Sequence, residues 1–334
     1  MKRPLGFILF ILLSAACGNV LAQQQPLYSQ YTLDKYLYNP AIAGADGYTT
    51  VNLLARQEEE GFTDPPTTFV LSGQTRILED SYISKLLNIK KNDKKASRAG
   101  RVGIGGCIFS DRNGAISKTG VQLTYAYHIT FSNKGQLSMG LSLSAYQFKL
   151  NDANAVILDP TDPLLNSTKR TFFIPDANAG VFYLTDSYYA GFSAANLMGS
   201  VIKIGKDSYQ DYRSPRNYYF LAGYKWYPFD KIKIEPSMMM QTMQRDVVVD
   251  FNTTATYDGN YWLGFSYRTN KTVIVTAGVT VKNIFLGYSY DATLSTIRNY
   301  TSGAHEFILG MRFGDNDTRR ARWLHKDVKN FETN

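Results

Sequence analysis

Residues 283–313 alternate in character with period two. One face of the first half carries Ile284, Leu286, Tyr288 and Tyr290, and one face of the returning half carries His305, Phe307, Leu309, Met311 and Phe313. The opposite faces carry Phe285, Gly287, Ser289 and Asp291, then Glu306, Ile308, Gly310 and Arg312. Side chains on successive strand residues point to opposite sides, so this pattern predicts a hairpin with an apolar, aromatic face and a mixed, more polar one. That is the division expected between lipid outside and a wetter lumen inside a transmembrane barrel. A closed barrel has no free edge, so the strand ending at Phe313 is predicted to pair with the first strand of the chain.

The same alternation recurs upstream. It predicts strands over 48–57, 67–78, 101–109, 118–130, 137–144, 176–184, 187–197, 216–227, 232–243, 247–256, 261–268 and 272–281, which with the closing hairpin make fourteen. The clearest is 118–130, with Val121, Leu123, Tyr125, Tyr127 and Ile129 on one face and Gln122, Thr124, Ala126, His128 and Thr130 on the other. Short turns at 132–136 and 228–231 alternate with longer loops at 58–66, 149–175 and 198–214. The expected architecture is therefore an all-β, antiparallel transmembrane barrel over 48–313, and an even strand count puts both termini in the periplasm. Residues 23–47 have little period-two order and several turn formers. They are expected to lie on the periplasmic side or to enter the lumen, because fourteen strands enclose more room than wall side chains fill. Residues 314–334 form a short periplasmic tail, either a short amphipathic helix or a frayed end.

Composition narrows this picture. The mean hydropathy is −0.25 and no apolar run of about eighteen residues occurs, which excludes helical spans but not strands. The 24 tyrosines suit aromatic girdles at two membrane interfaces. The start has Lys2 and Arg3, an apolar run over 5–16, and Val20-Leu21-Ala22 before Gln23, which predicts a secretory signal peptide over 1–22. Cleavage there leaves Cys107 as the only cysteine, so no intrachain disulfide is expected and the thiol is read as packing.

The positive charge is local. Lys85, Lys90, Lys91, Lys94, Lys95, Arg98 and Arg101 against Asp93 give +6 within residues 85–101. The whole chain is +8 and loses two charges with Lys2 and Arg3, so the remainder is near neutral. Strand parity puts this segment in the periplasm. It reads either as a solvated turn or as a docking surface for an acidic partner, with Ile83, Leu86, Leu87 and Ile89 as an apolar strip beside it. At the closing hairpin, Ser289 is expected opposite Glu306, with a hydroxyl-to-carboxylate hydrogen bond whose loss in Glu306→Ala costs about 1 kcal/mol.

Catalytic signals are weak. The three histidines, His128, His305 and His325, have no metal-ligand spacing, and no Gly-rich phosphate loop precedes a helix. No enzyme activity, cofactor or metal is expected, and a secreted barrel is not expected to meet nucleic acid.

Three stretches carry a resemblance: Tyr28-Ser29-Gln30-Tyr31 followed by Asn39-Pro40-Ala41-Ile42-Ala43-Gly44; Gly287-Tyr288-Ser289-Tyr290-Asp291; and Gly303-Ala304-His305-Glu306-Phe307. In these, and in order along essentially the whole mature chain, the sequence resembles the PorP/SprF family of type IX secretion and gliding motility outer-membrane proteins. The resemblance implies a non-enzymatic barrel in the outer-membrane lipid bilayer of a Gram-negative bacterium, working with periplasmic ring proteins of the secretion machine or with a cognate exported adhesin. A rival reading is a transporter of hydrophobic ligands, since Asn39-Pro40-Ala41 also resembles the hatch of long-chain fatty-acid transporters. Asn-Pro is equally an ordinary turn former.

Overall fold

The computed structural model describes residues 27–59, 65–77, 101–114, 116–131, 135–150, 171–199, 201–204, 210–213, 215–243, 246–299 and 301–313. The expected signal peptide, the tail at 314–334 and the basic segment up to residue 100 lie outside the described residues. The strands are β1 (Thr49–Gln57), β2 (Thr67–Ile77), β3 (Val102–Asn113), β4 (Ile116–Thr130), β5 (Gln136–Leu150), β6 (Thr171–Leu184) and β7 (Tyr188–Ala195). They continue with β8 (Val201–Ile204), β9 (Gln210–Arg213), β10 (Asn217–Tyr224), β11 (Trp226–Phe229), β12 (Ile232–Met243) and β13 (Asp246–Tyr257). The last four are β14 (Tyr261–Arg268), β15 (Thr272–Val281), β16 (Ile284–Thr293) and β17 (Ala304–Phe313).

Fourteen of these close into one antiparallel ring. Each ring strand pairs with its sequence neighbours, β10 bridges from β7 to β12, and β1 pairs with β17 from Thr49↔Phe313 to Gln57↔His305. The ring therefore has no open edge, which a membrane requires because lipid cannot satisfy free backbone groups. The short β11 continues the line of β10 below Lys225 and pairs with β12, while β8 and β9 form a separate hairpin off the ring.

Strand identities follow the period-two pattern, but several boundaries differ. β3, β4, β5 and β6 run further than expected, and β6 starts at Thr171 inside what reads as a loop. Pro175 lies within β6, opposite Ala145 of β5. The pairing of β6 with β7 begins only at Ala179, so Pro175 is flanked on one side and its missing N–H leaves no ladder bond broken on the other. The expected loop at 198–214 contains the β8–β9 hairpin, and the expected strand 216–227 is interrupted at Lys225.

Outward positions are apolar and exposed, as lipid-facing residues are in the isolated chain; Leu123 is 72% and Phe173 75% exposed. Exposed Tyr188, Tyr224, Trp226, Tyr257 and Tyr261 stand near the end where β1 begins and β17 finishes, here the terminal end. Tyr218, Tyr267 and Tyr290 stand near the opposite, far end. Aromatic rings at both levels suit the two membrane interfaces. Among the described residues no helix is long and apolar enough to cross a membrane.

Candidate functional site

Residues 27–47 lie inside the ring and run from its far half down to the terminal end, where Gly47 leads into β1. Two short 3-10 turns, Lys35–Leu37 and Pro40–Ile42, compact the segment. The second is set by local sequence. Asn39 caps it by accepting the Ala41 N–H at 2.9 Å, and Pro40 follows at a position that needs no N–H donor.

The same Asn39 ties the turn to the wall. Its side-chain amide donates to the Val181 and Phe192 carbonyls at 2.9 and 3.3 Å, and the residue is fully buried. Glycine makes this approach available: a Cβ on Gly180 would overlap the Asn39 side chain, and one on Gly140 would overlap the Pro40–Ala41 backbone. Nearer the terminal end, His128 Nε2 lies 3.0 Å from the Ala43 carbonyl and Nδ1 lies 2.7 Å from Ser138 Oγ. A carbonyl only accepts, so the proton sits on Nε2 and Nδ1 accepts from Ser138. Gly44 has φ +69°, and its N–H donates to Gln74 Oε1 at 3.1 Å. Gln136 donates to the Ala45 carbonyl at 3.0 Å and is itself held by Arg76 at 2.7 Å.

The upper part of the segment meets the closing seam. Consecutive backbone N–H groups of Ser29 and Gln30 donate to the two carboxylate oxygens of Glu306, each at 2.9 Å. Ser29 Oγ donates to Asp291 at 2.6 to 2.7 Å. Arg56 of β1 closes the group, donating to Ser29 Oγ at 2.8 Å, Asp291 at 2.9 Å, Glu306 at 3.2 Å and Glu58 at 2.7 Å. Arg268 joins from β14, 3.1 Å from Asp250 and 3.8 Å from Asp291. The Arg56, Asp291, Glu306, Arg268 and Asp250 side chains are almost completely buried. Charges held so deeply are stable only when paired and hydrogen-bonded, and the Arg56 pairs with Asp291 and Glu306 join the first strand to the last two.

Between these anchors the contacts are aromatic and apolar. Tyr36, Ala41, Ile42, Ala43 and Ala45 pack with Phe182, Leu184, Tyr189 and Leu221, and Leu27, Tyr31 and Tyr38 pack with Tyr219 and Met239. The phenols keep partners: Tyr36 meets Thr124 at 2.7 Å, Tyr31 meets Ser237 at 2.9 Å, and Tyr38 accepts the Tyr28 N–H at 2.6 Å. Burial raises the Asp34 carboxyl from its ordinary value, opposed by the Ser72 hydroxyl that donates to it. Burial likewise lowers Lys35, opposed by Glu235 at 3.5 Å. Cys107 is buried against Leu54, Val70, Phe285 and Ile308.

Of the residues singled out in the motifs, Ser29, Gln30, Tyr31, Asn39, Pro40, Ala41, Gly44, Asp291 and Glu306 all meet at this plug–wall contact. Tyr288 and His305 do not. They lie on the outer face, the Tyr288 hydroxyl 2.7 Å from His305 Nδ1. The expected Ser289–Glu306 hydrogen bond is absent. The two residues are opposite one another in register, but Ser289 Oγ has no partner, because the plug N–H groups and Arg56 occupy the Glu306 carboxylate. Of the basic set, only Arg101 is described; it is exposed, and its carbonyl accepts the His128 N–H at 2.7 Å. Arg56, Arg268, Asp250 and His128 were not among the candidates. Their signal was available, since each is a charged or polar residue on the inward side of an alternating strand.

Among the described residues no three His, Cys, Asp or Glu side chains are grouped to hold a metal ion. The arrangement is a latch, made of buried ion pairs and backbone capture.

Solved structures with a similar outline are membrane barrels of very different sequence. The CymD monoaromatic hydrocarbon channel shares 10% identity over 90% of this chain and 95% of its own, with a TM-score of 0.43. Omp33 of Acinetobacter baumannii shares 7% over 80% and 98%, with a TM-score of 0.42, and the KdgM porin 8% over 80% and 99%, at 0.34. No curated protein matches the chain. The model of one family, described as type IX secretion system membrane protein PorP/SprF, matches residues 20–311, a span that takes in the plug, the latch and all but the last two residues of the closing hairpin. The chain belongs to the PorP/SprF family of type IX secretion membrane proteins.

Proposed function

We propose that this barrel serves the type IX secretion machinery in the outer membrane as a fixed docking component, engaging periplasmic ring proteins or a cognate exported adhesin, and that it is not a conduit. The observation that supports this reading is the occupied lumen. The plug is bonded to β1, β4, β6, β7, β16 and β17, through hydrogen bonds to a buried ion-pair cluster at one end and backbone capture at the other. A transporter of hydrophobic ligands needs a path past its hatch. Here the Asn39-Pro40-Ala41 turn, which resembles such a hatch, is seated directly on wall backbone.

The docking surface proposed is the basic segment 85–101. It joins β2 to β3 at the terminal end, read here as the periplasmic side because short turns at 185–187, 230–231, 258–260 and 282–283 lie there and short connections are periplasmic in outer-membrane barrels. Seven cations in one connection attract an acidic partner over a distance set by salt, with a Debye length of about 8 Å at physiological ionic strength. Replacing Lys90, Lys91, Lys94 and Lys95 with Gln is expected to leave the heat-modifiable barrel intact while lowering co-purification of periplasmic machinery and cargo secretion. Normal secretion with partners retained would reduce the segment to a solvated turn.

A further inference from the structure

We propose that the terminal mouth of the barrel binds an acidic peptide, whose side-chain carboxylates seat among Lys35 of the plug, Lys233 of β12 and Lys225 between β10 and β11. These three cations share a single carboxylate, that of Glu235. Lys35 Nζ lies 3.5 Å from it and Lys233 Nζ 3.2 Å, and Lys225 acts on the same group by its charge. The Tyr189 hydroxyl also donates to Glu235, at 3.1 Å, and the Tyr189 ring lies 4.7 Å from Lys35 Nζ. Gly223 gives that ring its place, since a Cβ there would overlap it. Three positive charges around one negative leave an excess of two. Burial makes the charged form of Lys35 costly; Glu235 opposes this, while Lys225 and Lys233 add like-charge repulsion. A second carboxylate would offset that repulsion, and a carboxylate is the group these lysines already hold.

The cluster is reachable from one side. Lys233 is the second residue of β12 and Tyr189 the second of β7, both at the terminal end, and the Lys225 N–H donates to the Ser187 carbonyl in the turn before β7. The Lys35 and Lys233 side chains are 20% and 23% exposed. Deeper in the lumen the Tyr31 phenol meets Ser237, two residues beyond Glu235 on the same face of β12. The plug therefore stands behind the lysines, and a ligand arrives from the terminal mouth. An ammonium is a point charge without the planar fork of arginine, so such a site selects for negative charge and not for one sequence. It is distinct from the segment at 85–101, since β4, β5, β6 and β7 stand between β3 and β10 in the ring. Binding of a peptide here does not depend on which compartment the mouth faces.

Fluorescence anisotropy with the purified barrel in zwitterionic detergent tests this. The probe is a labelled hexaglutamate blocked at both ends, read at low ionic strength. The parent protein carries Lys90→Gln, Lys91→Gln, Lys94→Gln and Lys95→Gln, so the basic segment neither mimics nor masks the result. Hexaglutamine is expected not to bind. Lys233→Gln is expected to weaken hexaglutamate about threefold, and Lys225→Gln combined with Lys233→Gln about tenfold, the range for one and two partly exposed charge contacts. Lys233→Arg keeps the charge and should retain binding. Glu235→Gln removes the resident anion and is expected to tighten binding about threefold. Should Glu235→Gln fail to form the compact band, the contrast between Lys233→Gln and Lys233→Arg decides. Equal affinity for the parent, Lys233→Gln and the double variant overturns the proposal. So does displacement of the peptide by inorganic phosphate at the same molar concentration, which would assign the lysines to phosphate.

Discussion

Arg56→Ala is expected to cost the plugged barrel about 3–5 kcal/mol, the scale for removing one partner of a buried ion pair. Arg56 donates to Ser29, Asp291, Glu306 and Glu58, and its side chain is 4% exposed. Truncation leaves the Asp291 and Glu306 carboxyls in a buried site with only the more distant Arg268 as a cation to offset them, so an uncompensated buried negative charge results. The plug is affected with the wall, because Ser29 and Gln30 donate to a Glu306 side chain that Arg56 holds in place. Three strands share the loss: β1 supplies Arg56, β16 Asp291 and β17 Glu306, so the seam itself is weakened. The measurement is the temperature at which the compact band converts to the unfolded one on a seminative gel. A shift of several degrees or failure to form the compact band is expected, and Arg56→Lys should recover only part of it, since an ammonium lacks the planar fork. Conversion at the temperature of the unmodified protein would mean the cluster adds nothing.

The same geometry revises the effect of Glu306→Ala. A single cross-strand hydrogen bond predicts about 1 kcal/mol. Glu306 instead accepts two backbone N–H groups and an arginine, all charge-assisted bonds, and its removal strands two plug donors as well as Arg56. Its loss belongs with that of Arg56, at about 3 kcal/mol or more.

The strand pattern was legible because lipid outside and plug inside act on alternate residues. TVNLLARQ alternates between exposed and buried, and Tyr261–Arg268 and Thr272–Val281 have the bounds that the alternation predicts. Pairing of the last strand with the first followed from closure alone. Strand ends were less legible, since β6 enters through Thr171-Phe172-Phe173-Ile174 before Pro175, and a proline beside Asp and Asn reads as loop wherever the flanking strand is not yet known. The latch was half legible. Ser29, Gln30, Asp291 and Glu306 stood out by resemblance, but nothing local tells Ser29 that it meets a residue 277 positions away. Charge parity was the unused clue: Arg56, Asp250, Arg268, Asp291 and Glu306 all fall on inward faces of strands, and buried charges must find one another.

Gly140→Leu is expected to displace the plug while leaving the ring closed. Gly140 is the fifth residue of β5, its Cα side facing the Pro40–Ala41 backbone so closely that even a Cβ would overlap Pro40 and Ala41 atoms. The obstruction is backbone in a turn held by Asn39, so it cannot yield as a flexible side chain would, and a four-carbon side chain must push the turn off the wall. Displacing it breaks the Asn39 bonds to Val181 and Phe192 and withdraws the Ala43 carbonyl from His128. The ladder of β5 with β4 and β6 is unaffected, because leucine suits a strand and both neighbours pair through the backbone. The ring should therefore still form, with its lumen partly vacated over this quadrant. In planar bilayers the purified variant is expected to show ion conductance at least tenfold above the unmodified protein, and in cells the outer membrane should admit antibiotics too large to cross it otherwise. Gly140→Ala, with the smallest overlap, should give an intermediate conductance. Equal conductance for all three proteins, each with an intact compact band, would show that the Pro40–Ala41 turn does not hold the lumen closed.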